Sequence, residues 1–338
     1  MNRTRWIVIV GVVAAIVLAV FFAVQPKSAH TTLKSLPAVA TGSAPIATAR
    51  AYPDRLARQS TPITASSVTA ADWTARFRAS DDHLKFVKDA LPAAVSGDGR
   101  AAWYVKSALS SCALVMSTYH GSADPQAKLQ QQLENMPNAP QWARDVIEKQ
   151  TRRCLGLAQQ DPFAGLPYRQ GGYPSSYWYE QAVADGDPLA LEQRAADAIA
   201  TISVTQSLSD TEKAKQLEAG QTNMRAAVQS GDPDALYYAG SLLSDARYSS
   251  NPLNGIAVAL AACDLGHDCS ASNPENAFSN CKLSGACPAD ADYAYFLQQS
   301  LGADKYAWVY SRAQEIVQAG RAGDWDFVLS GLTFDKHP

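Results

Sequence analysis

Six cysteines, five histidines and one aromatic stretch are the residues of this 338-residue chain whose types and spacing bear on chemistry. The cysteines are Cys112, Cys154, Cys263, Cys269, Cys281 and Cys287, the last four spaced C-x5-C, eleven residues, then C-x5-C. Structural zinc sites use tighter C-x2–4-C knuckles, so this spacing argues against a metal. An even number of cysteines in an exported chain points instead to disulfides, which persist in oxidising compartments. The two close pairs are built alike: in 262–269 and in 280–287 a Cys near a helix end is followed by Gly and then by a second Cys in a loop. These four residues allow three connectivities, and the sequence leaves them open. By elimination Cys112 pairs with Cys154, closing a loop of about 43 residues worth ~4 kcal/mol in the chain-entropy model.

His30, His83, His120, His267 and His337 are scattered, and no two stand three or four apart. Asp81 and Asp82, just before His83, suit the anion-favouring start of a helix. No H-E-x-x-H, G-x-S-x-G, phosphate-cradling or dinucleotide glycine motif occurs, so no catalytic residue, metal or cofactor is expected. The aromatic stretch is Gly165 to Glu180, carrying Tyr168, Tyr173, Tyr177, Trp178 and Tyr179 among glycines and prolines. It reads as a loop over residues 161–180. Tyr and Trp offer large, stiff, amphipathic surface, suited to packing between two helical subdomains or to binding a protein or glycan. An enzyme reading would use Glu180 as a general acid, but glycoside hydrolysis needs a second carboxylate that the sequence does not identify.

The elements that would carry these residues begin with an address. Trp6 to Val24 are 19 consecutive uncharged residues. As a helix they span roughly 28 Å, close to the hydrocarbon thickness of a bilayer. Arg3 and Arg5 precede the run, favouring a cytoplasmic N-terminus. A cleaved signal peptide would have a shorter apolar core and a small-x-small site, which Phe21-Phe22-Ala23-Val24-Gln25-Pro26 does not match. The expected organisation is therefore a cytoplasmic tail over 1–5, a transmembrane signal anchor over 6–24 and an Ala/Ser/Thr/Pro-rich linker over 25–66. An N-terminal helical subdomain over 67–160 follows, then the aromatic loop, then a C-terminal helical-repeat subdomain over 181–338. With 29 basic and 32 acidic residues, the chain lacks the concentrated Lys/Arg that phosphate binding requires, so nucleic acid is excluded as a partner.

From about residue 68 good helix formers dominate and apolar residues recur at three and four. Polar-Pro pairs at Asp124-Pro125, Asp187-Pro188, Asp232-Pro233, Asn251-Pro252 and Asn273-Pro274 mark helix starts, because Pro suits the first helical position and Asp or Asn can cap it. Ser209-Asp210-Thr211-Glu212 reads as a capping box. One phrase recurs, ending a helix at Gly and capping the next with Asp: Gly97-Asp98, Gly186-Asp187, Gly231-Asp232 and Gly323-Asp324. Glycine separations of 89, 45 and 92 fit a unit near 45 residues with two degenerate nodes, starting near Pro140 and Pro274. Units of that length point to stacked helix pairs.

Gly231 to Gly240, followed by Leu243, Asn251, Ala261-Ala262 and Gly266, resembles a Sel1-like repeat, a relative of tetratricopeptide repeats. The resemblance covers residues 231–268. It implies two antiparallel helices touching at small residues, with Ala239-Gly240 against Ala262, and protein–protein scaffolding in envelope or secretion systems. It carries no catalytic residues. The expected molecule is all-α, a membrane helix followed by a disulfide-bonded domain of stacked helix pairs. It would sit in a bacterial inner membrane, facing the periplasm and binding another envelope or periplasmic protein as scaffold, inhibitor or assembly factor. An envelope enzyme acting on cell-wall glycan or peptide is the alternative.

Overall fold

The computed structural model describes residues 66–137, 141–163, 174–205, 207–270 and 291–332, all within one compact unit, Pro62–Pro338. The apolar run 6–24, nearly all of the linker, Tyr168, Tyr173, Pro274, Cys281 and Cys287 lie outside the described residues. Among the described residues no helix is long and apolar enough to cross a membrane.

The described chain is all-helical, with thirteen helices and no strand. They are α1 (Ser66–Ala79), α2 (His83–Val95), α3 (Gly99–Tyr119), α4 (Pro125–Glu134), α5 (Gln141–Gln159), α6 (Pro174–Ala184) and α7 (Pro188–Val204). There follow α8 (Asp210–Gln229), α9 (Pro233–Leu243), α10 (Pro252–Leu265), α11 (Tyr293–Leu301), α12 (Ala303–Ala322) and α13 (Trp325–Ser330). Their starts are chemical. Asp124, Asp187 and Asp232 each accept a bond from a first-turn N–H while Pro takes the first helical position. Ser209 and Glu212 form the reciprocal capping box.

The recurring Gly-Asp phrase makes the same turn four times. Gly97, Gly186, Gly231 and Gly323 all have positive φ, which costs glycine little. Each following Asp caps the next helix through its side chain. In three of the four, the Asp N–H also reaches back across the turn, to Ala93, Ala182 and Ala319.

The helices pack around two cores. The first, built from α1 to α7, is rich in rings: Phe77 lies 5.4 Å from Phe86 and 4.8 Å from Tyr104, with Trp73, Tyr119, Phe163 and Trp178 also buried. α3 runs through its middle, against α1, α2, α5 and α6. Cys112 of α3 is bonded to Cys154 of α5. The second core, built mainly from α8 to α13, is rich in small residues, with Ala257, Ala259, Ala261 and Ala262 of α10 fully buried. α7 packs along α8, α9 along α10, and α10 along α12. A Cβ on Gly240 of α9 would lie 2.4 Å from the Ala259 nitrogen and 2.7 Å from the Gly255 oxygen. The small residues facing Gly240 are thus Gly255 and Ala259, two turns and one turn before the expected Ala262. Cys263 is bonded to Cys269, which settles the pairing of that close pair.

One boundary is corrected. The aromatic loop expected over 161–180 gives way at Pro174 to helix α6, so Tyr177, Trp178, Tyr179 and Glu180 are helical. Pro174 is the first helical residue, as in the polar-Pro starts, but Tyr173 precedes it instead of Asp or Asn, and the signal was missed.

Candidate functional site

Three groups of side chains stand out. The first is a buried ionic spine joining the two cores. Each capping Asp of the first three Gly-Asp turns spends one oxygen on its helix and the other on a distant cation or ring N–H. Asp98 accepts from Trp73 Nε1 at 2.9 Å. Asp187 and Asp232 both accept from Arg100, at 2.5 and 2.6 Å. Arg100 also reaches Thr74, which in turn accepts from the Tyr104 hydroxyl. Arg100 sits at the start of α3, while its partners cap α7 and α9, so one guanidinium fastens three helix N-termini. Burial opposes the Arg100 charge, but Asp232 and Asp187 outweigh it and raise its pKa. Burial raises Asp187 despite its pairing with Arg100. Two residues on, in the first turn of α9, Asp234 takes Arg78 at 3.2 Å and His267 Nδ1 at 2.6 Å. Burial alone would raise Asp234, but the His267 hydrogen bond and the Arg78 charge hold its carboxyl below the usual range. The imidazole of His267 stacks on Tyr237 at 4.0 Å.

The second group is an ionisable corner where α3, α6 and α7 meet. Lys106 lies over the Trp103 ring at 4.1 Å and the Tyr179 ring at 5.7 Å. Tyr179 donates to Asp197 at 2.9 Å, with Arg194 5.0 Å from its ring centre. Burial first, then the hydrogen bond to Asp197 opposed by Arg194, leaves the Tyr179 pKa raised. Glu192 is buried here, and its carboxyl is pushed up to about 8 by desolvation and by Asp197, against the pull of Lys106. Lys106 is lowered by desolvation, with Asp197 and Glu192 working against that. At neutral pH Glu192 is therefore largely a neutral acid able to donate a hydrogen bond. Glu180, the carboxylate of the enzyme reading, is exposed and ion-paired with Arg194 at 2.6 Å.

The aromatic stretch itself divides. Trp178 is buried, 6.1 Å from Phe163 and 5.0 Å from Tyr177, so its ring fills the first core rather than a binding surface. Tyr177 packs partly buried against the same core. Tyr179 alone of the described three reaches the ionisable corner.

The third group is a surface cleft of about 410 Å³ between α10, α12 and α13, lined by Asn251, Asn254, Trp308, Ser311, Arg312, Glu315 and Gly331. Its walls are pre-set: Arg312 bonds Asn254 at 3.1 Å and Glu315 at 2.7 Å, and Asn254 donates to the Gly331 carbonyl. Asn251 starts α10 and lines the opening, yet its side chain makes no capping bond, unlike those of Asp124, Asp187 and Asp232. Trp308 is 45% exposed; Tyr310 of α12 and Phe296 of α11 are also half-exposed, but they do not line the cleft.

The sequence reading named none of Arg100, Lys106, Glu192, Trp308 or Arg312. Trp308 carried a faint signal, one of three aromatics, with Tyr306 and Tyr310, in a polar helix. The others carried none, because their partners are remote in the chain. No protein-family model, curated protein or solved structure matches the chain.

Proposed function

We propose that this chain is a membrane-tethered, periplasm-facing helical-repeat protein that binds another envelope protein, as scaffold, inhibitor or assembly factor. The observation that carries the reading is half-exposed Trp308 in the wall of a cleft whose polar side chains are already hydrogen-bonded. Trp, Tyr and Arg are the residues that dominate protein interfaces, and walls held in place before binding spare the entropy of ordering them. The address rests on the uncharged run over residues 6–24 and the paired arginines before it. The Sel1-like resemblance over residues 231–268 supports the same scaffolding role.

The test is photo-crosslinking in intact cells, with a photoreactive amino acid at Ser311 in the cleft wall of the full-length protein. Exposed Leu114, on α3 in the other half, serves as control. A discrete adduct from Ser311 and none from Leu114 is expected, with the Trp308→Ala background lowering adduct yield about tenfold. No discrete adduct from Ser311, or equal adducts from both positions, contradicts the reading.

A further inference from the structure

We propose that His83, Cys112 and Cys154 form a three-coordinate site for a soft monovalent metal ion, Cu(I), when the Cys112–Cys154 disulfide is reduced. This is independent of the partner-binding reading, and it reverses the expectation, drawn from cysteine spacing alone, that the chain holds no metal site. One ligand atom from each of the three residues lies within 4.8 Å of the other two, and all three residues are buried. Nδ1 of His83 is 3.3 Å from Cys112 Sγ. A nitrogen and a sulfur on one ion, at about 2.0 and 2.3 Å, stand roughly 3.5 Å apart, so the imidazole is already near its ligating position. The Cα atoms of Cys112 and Cys154 are 5.3 Å apart on packed helices α3 and α5, which keeps the two sulfurs close once their bond is broken.

The oxidised protein gives no other account of the imidazole. Nε2 of His83 is buried without a partner, and Nδ1 faces only sulfur. A disulfide sulfur has no proton to give and accepts weakly, so neither ring nitrogen meets a strong hydrogen-bonding group. The ring is nonetheless fixed, stacked on Phe77 at 5.2 Å.

The ligand set selects the ion. Thiolates and imidazole suit Cu(I) and Zn(II). Zinc takes four ligands, but among the described residues no fourth Cys, His, Asp or Glu joins the three. Asp82, beside His83, is committed to the Leu84 and Lys85 N–H groups. Two thiolates and one Cu(I) leave a single negative charge. Arg153, next to Cys154, is the cation that acts on His83, and the Ser80 and Phe77 carbonyls hold it at 2.7 and 3.2 Å. In the conversion a dithiol reductant supplies two electrons and two protons. The Cys112–Cys154 bond breaks to two thiols and the reductant becomes a cyclic disulfide. Binding of Cu(I) then forms two Cu–S bonds and one Cu–N bond and releases the two thiol protons to solvent.

The test uses full-length protein with Cys263, Cys269, Cys281 and Cys287 replaced by Ser, so that Cys112 and Cys154 are the remaining cysteines. It is reduced anaerobically with dithiothreitol, desalted, and titrated with Cu(I) against bicinchoninate. The expected result is one tightly held Cu(I) per chain, with one nitrogen and two sulfurs around copper by X-ray absorption. The His83→Leu variant, shown to be folded by re-formation of its disulfide in air, is expected to hold copper at least tenfold more weakly. Absence of bound copper, loss of helical circular dichroism on reduction, or a sulfur-only shell unaffected by His83→Leu would each overturn the proposal. So would four-coordinate zinc held in preference to copper.

Discussion

The two cores solve one packing problem with opposite materials. The α1–α7 half fills the space between helices with rings, and its helices are tied by a disulfide across 42 residues. The α8–α13 half brings helix backbones together over Gly240, Gly255 and Ala259, and its disulfide closes a separation of only 6 residues. Yet both halves use the same Gly-Asp turn, and Arg100 joins caps from the first half to the cap that opens α9. The difference teaches that the repeated phrase specifies how one helix hands over to the next, not how far apart helices lie. Side-chain volume sets the distance, and one buried cation makes the two regimes a single unit.

The strongest way to break this comparison is to remove the cation. Arg100→Leu leaves two largely buried carboxylates facing each other, so a loss at the upper end of about 3–5 kcal/mol is expected in urea unfolding near neutral pH. The disulfides sharpen the contrast between halves. Replacing Cys112 and Cys154 by Ala should cost about 4 kcal/mol, whereas replacing Cys263 and Cys269 should cost about 2 kcal/mol, because the unfolded chain regains more freedom from the longer loop. Equal losses from the two replacements would deny the asymmetry.

Glu192 marks the first half as the one holding a neutral acid. Its folded pKa, about 8, lies above its value in the unfolded chain, so the folded state binds the extra proton. The stability this confers is complete below the unfolded pKa and is lost as pH rises through the folded one. Relative to wild type, Glu192→Gln should therefore gain roughly 2–3 kcal/mol between about pH 5 and pH 7, read from paired unfolding curves. A difference flat with pH would place Glu192 in contact with water. The smallest effect is in the second half. Gly240→Ala forces a methyl against the backbone of Ala259 and should cost about 2 kcal/mol. A loss of only a few tenths by thermal unfolding would show that α9 and α10 can part without cost.

Much of the fold was legible because it is local. A Gly-Asp turn or an Asp-Pro start carries its whole explanation within about five residues, and each described start named from the sequence opens a helix, whereas Asp161-Pro162 makes only a turn. What the second oxygen of Asp187 or Asp232 does was not legible, because Arg100 lies 87 and 132 residues away. Glu192 looked like any polar residue of an amphipathic helix, and its burial is decided by α3 and α6. His83 and Cys112 are separated by 29 residues, so no spacing rule could join them. The aromatic stretch reads as a loop over 161–180 because its glycines and prolines hide a helix start; of the two roles open to it, packing holds for Trp178, which turns inward in α6.

If Arg100 ties the two halves together, the two cores open together. Native-state hydrogen exchange of the full-length protein, followed by mass spectrometry on peptides from α2 and α10, reads each core separately. In wild type the most protected amides of both peptides should share one opening free energy, and in Arg100→Leu the two values should separate. Separate values already present in wild type, or values that stay locked together in the variant, would contradict it.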